Sequence, residues 1–139
     1  KEAVEYEDWG LLPDWRKASN RRKTYFLDVD GVIFKNKGQY GRVNWNSHDE
    51  PLENNIETIK LLAKKGAQII FCTARTEEQR EKLEKSLKSH GIEWHSIIMG
   101  CNHSQRVLVN DYSGTNPFPS CSAISIPRDI DNLGEFLQL

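Results

Sequence analysis

The chain has 139 residues, 37% of them hydrophobic, and a formal net charge of -1 at pH 7. Its length predicts one core, and its balanced charge excludes the broad basic field that recruits nucleic acid or anionic lipid. No apolar run approaches the roughly 18 residues of a membrane span, and the start has no signal-peptide core, so we expect a cytoplasmic protein without membrane contact. Cys72, Cys101 and Cys121 lack paired spacing and are predicted to be reduced thiols.

The first 23 residues are polar and contain Gly10 and Pro13 before any convincing strand. We therefore predict an N-terminal extension or linker over residues 1–23, part of a larger protein in one interpretation, and a folded domain over residues 24–139. Trp9 and Trp15 make this extension too apolar for a purely disordered linker, so it packs either on the domain or on a neighbouring domain.

Residues 24–29 are rich in β-branched and aromatic residues and end at Asp30-Gly31, which predicts a buried strand followed by a turn. Their near-continuous apolar character predicts burial on both faces of a sheet. The same profile recurs four times, at residues 68–72, 96–99, 107–109 and 123–126.

Helices are predicted between these strands. Gly66 and Gly91 stand where the first two helices would end in a left-handed conformation. A last helix is predicted over residues 130–137, and the alternation indicates a parallel α/β sheet with right-handed crossovers. The apolar positions at helical spacing are Leu52, Ile56, Ile59, Leu62 and Ala63 in the first helix, and Leu83 and Leu87 within residues 77–90.

Ligands in such sheets bind beyond the carboxyl ends of the strands. Asp28 and Asp30 stand two residues apart at the end of the first strand, so they point the same way, and Gly31 lets the backbone turn sharply. By itself this pattern is equally typical of a surface loop. It becomes more specific because Thr73 ends the next strand and Asn110-Asp111 ends a later one.

Three segments together resemble the motifs of the haloacid dehalogenase superfamily, from about residue 24 to the end of the chain. The resemblance implies a Rossmann-like three-layer sandwich with a mostly parallel central sheet. The segments are FLDVDGV at residues 26–32, FCTAR at residues 71–75 and VLVND at residues 107–111.

The same resemblance implies a phosphatase that acts on phosphoric monoesters. Asp28 would attack phosphorus to give an aspartyl phosphate, while Asp30 would protonate the leaving oxygen and then activate water. A carboxylate that attacks a phosphate dianion meets charge repulsion, so Mg²⁺ is the expected cofactor. Its implied ligands are Asp28, the main-chain carbonyl of Asp30 and the carboxylate of Asp111.

Phosphate binding is assigned to the Thr73 hydroxyl, to Ala74 beside it and to backbone amides near Asp30 and Gly31. Thr73 could also be an ordinary β-branched residue that closes a strand. For Arg75 two interpretations stay open: it braces phosphate or carboxylates, or it forms an exposed ion pair at the start of the following helix.

The sequence departs from the superfamily pattern in two places. A lysine or arginine normally precedes the fourth motif and holds the nucleophile and phosphate; Arg106 is our candidate for this cation, and Lys88 is the alternative. Asn110 stands where an acid is commoner, so a lower magnesium affinity is expected. Cys101 and His103 are two soft ligands without partners and are interpreted as incidental.

The gaps between motifs are too short for a large cap domain. Residues 32–50 are predicted instead to form a short β-hairpin flap, with strands at 33–34 and 42–45 around a turn at 38–41. The aromatics Phe34, Tyr40 and Trp45 either line the substrate or pack the hairpin against the domain.

An uncapped site would be open, or covered by a second copy of the chain or by a fused domain. We expect a small phosphorylated sugar or sugar acid as substrate, since the chain lacks the basic stripe that polynucleotides require. Three alternatives remain: a nucleotide or polynucleotide phosphatase, phosphoryl transfer to another acceptor, or a degenerate phosphate-binding accessory domain of a multidomain enzyme.

Overall fold

The computed structural model describes residues 22–37, 45–115 and 118–138. These residues form two units. The described part of the larger unit comprises residues 24–37, 45–103 and 126–138. The described part of the smaller unit comprises residues 22–23, 104–115 and 118–125. The named helices and strands of the described chain all lie in the larger unit.

Three parallel strands form the sheet of the larger unit: β1 (Thr24–Leu27), β2 (Gln68–Cys72) and β3 (Ser96–Ile98). Their order is β1-β2-β3. The register pairs Leu27 with Phe71, and Phe71 with Ile97. The predicted strands at 24–29, 68–72 and 96–99 and the parallel α/β class are therefore confirmed, although β1 ends two residues and β3 one residue earlier than predicted.

The helices are α1 (Glu53–Lys64), α2 (Arg80–Ser89) and α3 (Leu133–Phe136), and a 3₁₀ turn at Glu77–Gln79 leads into α2. Gly66 and Gly91 follow α1 and α2 with φ angles of 99° and 74°, as their predicted role in ending these helices requires. No helix in the described ranges is long and apolar enough to cross a membrane.

The last helix is shorter than the predicted 130–137. Asp129 has a positive φ of 66°, and the amide of Ile130 donates to Pro127 in a turn. The carbonyl of Ile130 accepts a side-chain hydrogen bond from Asn55 at 2.8 Å. Residues 129–132 are thus held by turns and tertiary contacts, and α3 begins only at Leu133.

The core lies on one face of the sheet. Two successive right-handed crossovers in the same direction place α1 and α2 on the same side. Phe26 and Ile98 point to the opposite face and are 49% and 47% exposed, so the expected burial of both faces is wrong for these positions. The main core contacts come from α1, α2, β2 and β3 through Ile56, Ile59, Leu83, Leu87, Ile69, Phe71 and Ile97.

Two of the predicted strands are wrong. Residues 107–109 and 123–126 adopt no strand, and residues 107–125 belong to the smaller unit. Val107 and Val109 are 78% and 88% exposed. Apolar, β-branched composition favours a strand only where a neighbouring backbone pairs with it, and these segments have no such pairing in the described chain.

The predicted hairpin is also wrong in its first strand. Residues 31–33 form a turn, and Phe34 makes only isolated bridges with Asp30 and Pro51. Phe34 and Trp45 are buried, which favours packing over substrate contact for both. Residues 38–44, with Tyr40 and most of the second predicted strand, lie outside the described residues. The connections after β1 and β2 leave no room for a large cap, as expected.

Asn55 ties the chain that precedes α3 to α1 and to the turn after β1. This side chain is fully buried, and its amide nitrogen donates to the carbonyls of Val32 and Ile130, both at 2.8 Å. Its amide oxygen accepts from the backbone of Leu133 at 2.9 Å. The backbone N–H of Asn55 itself donates to Asp131 at 2.9 Å. Both side-chain amide hydrogens and the amide oxygen of Asn55 are therefore bonded, and they join α1 to the turn after β1 and to the chain before α3.

Replacing Asn55 by alanine should lower the free energy of unfolding by about 2–4 kcal/mol, because three buried or partly buried backbone groups lose their partner. Urea unfolding at neutral pH measures this change. Asn54→Ala, at the exposed neighbouring position of α1, is the matched control and should stay within about 0.5 kcal/mol of wild type. Equal effects of the two substitutions would contradict the assigned role of Asn55.

Candidate active site

The candidate site lies at the carboxyl ends of β1 and β2. Asp28 and Asp30 follow β1, and residues 73–75 follow β2. Because Leu27 pairs with Phe71 in parallel register, the two segments leave the sheet side by side at the same edge. The structure therefore brings together the acidic motif and the threonine motif that were predicted to meet.

The turn after β1 sets the direction of the two carboxylates. The carbonyl of Val29 accepts amides from residues 32–34, with a shortest distance of 2.8 Å from Ile33. The side chain of Val29 is fully buried, while Asp28 and Asp30 on either side of it are partly exposed. The amide of Val29 donates to Asp28 Oδ1 at 2.9 Å. Asp28 and Asp30 thus stand on either side of a buried valine and remain partly exposed.

Gly31 shapes this turn. Its φ is 95°, which favours glycine, and its amide donates to Phe34 at 2.7 Å. Its carbonyl accepts from the amide of Asp129 at 2.9 Å, and an added Cβ would lie 3.4 Å from Arg128 Cγ. The predicted donation from Gly31 to phosphate would have to replace or share the bond to Phe34.

Thr73 is held on both sides by the end of β3. Its amide donates to Ile98 and its carbonyl accepts from Cys101, both at 2.9 Å. The side chain is 1% exposed, and its oxygen accepts from the amide of Arg75 at 3.1 Å. Among the described residues the Thr73 hydroxyl proton has no acceptor, so this group can still donate to a phosphoryl oxygen. Ala74 beside it is partly buried.

Arg75 is a buried partner of Asp30. Its Nε donates to Asp30 Oδ2 at 3.0 Å and its Nη2 to Oδ1 at 2.7 Å, which is a bidentate ion pair. The Arg75 side chain is 1% exposed and that of Asp30 is 14% exposed. The interpretation of Arg75 as an exposed ion pair is therefore wrong, and the alternative in which it braces a carboxylate is confirmed.

A second carboxylate, Asp49, binds the same guanidinium. Arg75 Nη2 donates to Asp49 Oδ1 at 3.0 Å. The other oxygen, Oδ2, accepts from Lys82 Nζ at 2.9 Å and Ser86 Oγ at 2.6 Å. Burial alone would raise the pKa of the Asp49 carboxyl, but the bonds from Ser86, Arg75 and Lys82 outweigh it and leave the pKa below its usual value.

The positive charge of Arg75 is balanced by Asp30 and Asp49. Burial by itself would lower the pKa of the guanidinium, and its bonds to Asp30 and Asp49 raise it instead. Its second terminal nitrogen, Nη1, is buried without a hydrogen-bond partner among the described residues. Arg75 is thus a cation directly beside Asp30. The cation proposed from the sequence has a different role, which is to hold Asp28 and phosphate, and its candidates are Arg106 and Lys88.

Lys88 is poorly placed for that role. It is exposed in the last turn of α2, and α2 runs from the carboxyl end of β2 back toward the amino end of β3. Arg106 and Asp111 belong to the smaller unit and are exposed. Their predicted roles in phosphate and metal binding remain predictions.

Asn110 in the smaller unit makes two side-chain hydrogen bonds to the backbone. Its Oδ1 accepts the amide of Asp111, and its Nδ2 donates to the carbonyl of Ser120, both at 3.1 Å. Asn110 thus contacts the backbone of Asp111 and not its carboxylate in these bonds.

The residues of the larger unit fit part of a magnesium site. The Asp28 carboxylate and the Asp30 carbonyl are hard oxygen donors that follow the same strand end. The described residues contain no group of three or more His, Cys, Asp or Glu side chains close enough to hold a metal ion. A complete site thus needs main-chain oxygen, water or phosphate in addition to carboxylates.

Sequence reasoning missed Asp49, Lys82 and Ser86. Asp49 lies just before the start of α1 in no recognisable motif, and its partners are ordinary residues of a charged helix. Lys82 and Ser86 are four residues apart and therefore share one face of α2, which was the only available signal.

Two parallel strands of this sheet thus end side by side, one followed by an Asp-rich turn and the other by a threonine. Residues 25–116 match the family model described as haloacid dehalogenase-like hydrolase, which covers well over half of the chain. The chain therefore belongs to this family.

One solved structure, described only as a structural-genomics target from Vibrio cholerae, is similar over 84% of this chain and 94% of its own. The two share 17% sequence identity with a TM-score of 0.44, which is too low to bear on function. No curated protein matches the sequence.

The lowered pKa of Asp49 predicts an acid-dependent contribution to stability. A carboxyl whose pKa is depressed by folding stabilises the folded state above its unfolded pKa of about 3.9, and this contribution is lost as the pH falls toward the folded value. Asp49→Asn should therefore lower the free energy of unfolding at pH 7, and its difference from wild type should shrink below about pH 4. Chemical unfolding of both proteins from pH 7 to pH 3 measures this. A difference that is constant over the whole range would contradict the assignment.

Proposed function

We propose that this hydrolase is a magnesium-dependent phosphatase that cleaves a phosphomonoester through an aspartyl phosphate on Asp28. The observation that carries the proposal is the placement of Asp28 and Asp30 beside Thr73 at neighbouring carboxyl ends of parallel strands. It supplies a nucleophile, a second carboxylate for proton transfer and a hydroxyl donor at one edge of the sheet.

In the first step a carboxylate oxygen of Asp28 attacks phosphorus. The bond from phosphorus to the ester oxygen breaks, and the leaving oxygen takes a proton from Asp30. In the second step Asp30 accepts a proton from water, and the resulting hydroxide attacks phosphorus and breaks its bond to Asp28. Inorganic phosphate leaves, and both carboxyl groups return to their starting states. The Thr73 hydroxyl would donate to a phosphoryl oxygen in both steps.

Magnesium would be held by Asp28, the main-chain carbonyl of Asp30 and Asp111. When bound, the ion neutralises charge on the phosphoryl group and the attacking carboxylate. Asp30 would keep its side chain for proton transfer. The donor chemistry at the end of β1 supports Asp28 and the Asp30 carbonyl, and the part proposed for Asp111 rests on the motif resemblance.

A small phosphorylated sugar or sugar acid is the proposed substrate. The net charge of -1 offers no broad attraction to polynucleotides, and the connections after β1 and β2 lack a large cap. A second copy of the chain or a fused domain would cover the open site during the reaction. A nucleotide or polynucleotide ester remains an alternative that the same substrate panel tests.

A second candidate function is a non-catalytic phosphate-binding accessory domain. The observation in its favour is the ion pair in which both oxygens of Asp30 accept from Arg75. Proton transfer by Asp30 would have to use the second lone pair of an oxygen that is already bonded to Arg75. A folded, magnesium-bound protein that hydrolyses no ester would support this second function.

Asp28→Asn should reduce phosphatase turnover by at least about 10³-fold, since an amide lacks the attacking charge and nearly preserves the shape. The measurement is release of inorganic phosphate from a panel of sugar, sugar-acid, nucleotide and aryl phosphates, with and without Mg²⁺. Glu57→Gln, at an exposed carboxylate of α1, is the matched control and should keep wild-type activity. Turnover near wild type in Asp28→Asn would rule out Asp28 as the nucleophile.

Asp111→Ala should weaken magnesium binding, and activity should partly recover at high metal concentration because the remaining ligands are intact. Titration calorimetry with Mg²⁺ measures the affinity directly. Glu81→Ala, at an exposed position of α2, is the control and should leave the affinity unchanged. An unchanged affinity in Asp111→Ala would mean that Asp111 is not a metal ligand.

A further inference from the structure

We propose that Arg75 and Asp49 form a positioning pair that fixes the Asp30 carboxylate for proton transfer to the leaving group. Asp49 would act through Arg75, and Lys82 and Ser86 would act through Asp49. The inference rests on the proposed phosphatase function, which it deepens by assigning residues that support the proton-transfer step.

Arg75 contacts Asp30 through a two-pronged fork. Two parallel bonds, from Nε and Nη2, reach the two oxygens of one carboxylate at 3.0 and 2.7 Å. Such a fork fixes both the position and the rotation of the carboxylate plane. A single point contact would leave that plane able to turn. The orientation of Asp30 therefore follows the orientation of the guanidinium.

Arg75 is in turn held by hydrogen bonds at its guanidinium and at its backbone. Nη2 carries two hydrogens; one reaches Asp30 and the other reaches Asp49 Oδ1 at 3.0 Å. The carbonyl of Arg75 also accepts from the amide of Gly100 at 2.7 Å. With its backbone bound to the chain after β3 and its guanidinium between two carboxylates, Arg75 has little freedom to swing.

Asp49 is held by two residues of α2. The Asp49 side chain is 5% exposed, so its charge needs partners within the protein. Lys82 and Ser86 supply two donors to Oδ2 from one face of α2. Asp49 thus joins the chain before α1 to α2, and α2 becomes the rigid element on which the orientation of Arg75 depends.

Loss of the Asp30 position should affect alkyl and aryl phosphates differently. Cleavage of an alkyl phosphate releases a strongly basic oxygen that needs a proton, whereas p-nitrophenolate leaves readily without one. A misplaced Asp30 should therefore slow the alkyl ester much more than the aryl ester. A residue that only supports the fold would slow both substrates equally.

The test compares Asp49→Asn and Ser86→Ala with wild type on p-nitrophenyl phosphate and on the most active alkyl phosphate of the panel. Asp49→Asn should lower kcat/KM for the alkyl ester by about tenfold or more and change that for the aryl ester by less than about threefold. Ser86→Ala should also slow the alkyl ester more than the aryl ester, by a smaller factor. Because Ser86→Ala keeps the charge of Asp49, it still tests the proposal if Asp49→Asn folds poorly.

Lys85→Met is the matched control, because Lys85 is an exposed lysine of the same helix. It should match wild type on both esters. Equal losses on the two esters, or no loss in either variant, would overturn the positioning role while wild-type hydrolysis still supports the proposed function.

A second readout does not depend on activity. The Arg75 Nε–H resonance should exchange slowly with solvent in wild type, because this proton is buried and bonded to Asp30. In Ser86→Ala and Asp49→Asn its exchange should become faster, by about tenfold in the second. If wild type hydrolyses no ester, the proposed function fails and exchange alone decides: faster exchange supports the fixing of Arg75 by Asp49, and unchanged exchange overturns it.

Discussion

A guanidinium charge buried to 1% exposure must be neutralised inside the protein, and Arg75 meets that requirement with two carboxylates. One of them, Asp30, follows β1; the other, Asp49, precedes α1 and is bound by α2. Removing a single partner would leave an uncompensated charge in the core. The positions of β1, β2 and α2 around the site are therefore linked by one ion-pair chain.

The sheet determines which residues can meet at that chain. Parallel register places the ends of β1 and β2 side by side, so the turn after β1 and residues 73–75 share one edge. The positive φ of Gly31 closes that turn, and Asn55 holds it against α1 and the chain before α3. The carboxylates of Asp28 and Asp30 are consequently presented by buried, hydrogen-bonded backbone, which suits a group that must react from a fixed position.

Most of the larger unit could be predicted from local patterns. The strands are continuous apolar runs, the first two helices show helical spacing of apolar residues, and Gly66 and Gly91 end these helices as expected. Residues 107–109 have the same composition as a strand but no pairing partner in the described chain, which composition cannot reveal. Long-range partners such as Asp49 for Arg75 depend on packing, so the burial of Arg75 was not predictable from its neighbours in sequence.

The proposed mechanism requires Asp28 to be the residue that accepts the phosphoryl group. The most direct measurement uses Asp30→Asn, in which the second step should be slowed, with p-nitrophenyl phosphate, Mg²⁺ and an acid quench, followed by peptide mass spectrometry. A phosphoryl group is expected on the peptide that contains Asp28, and fragmentation should locate it on that residue. The adduct should be absent from the double variant with Asp28→Asn and Asp30→Asn. Ester hydrolysis without any such adduct, or with a phosphoryl group on another residue, would contradict it.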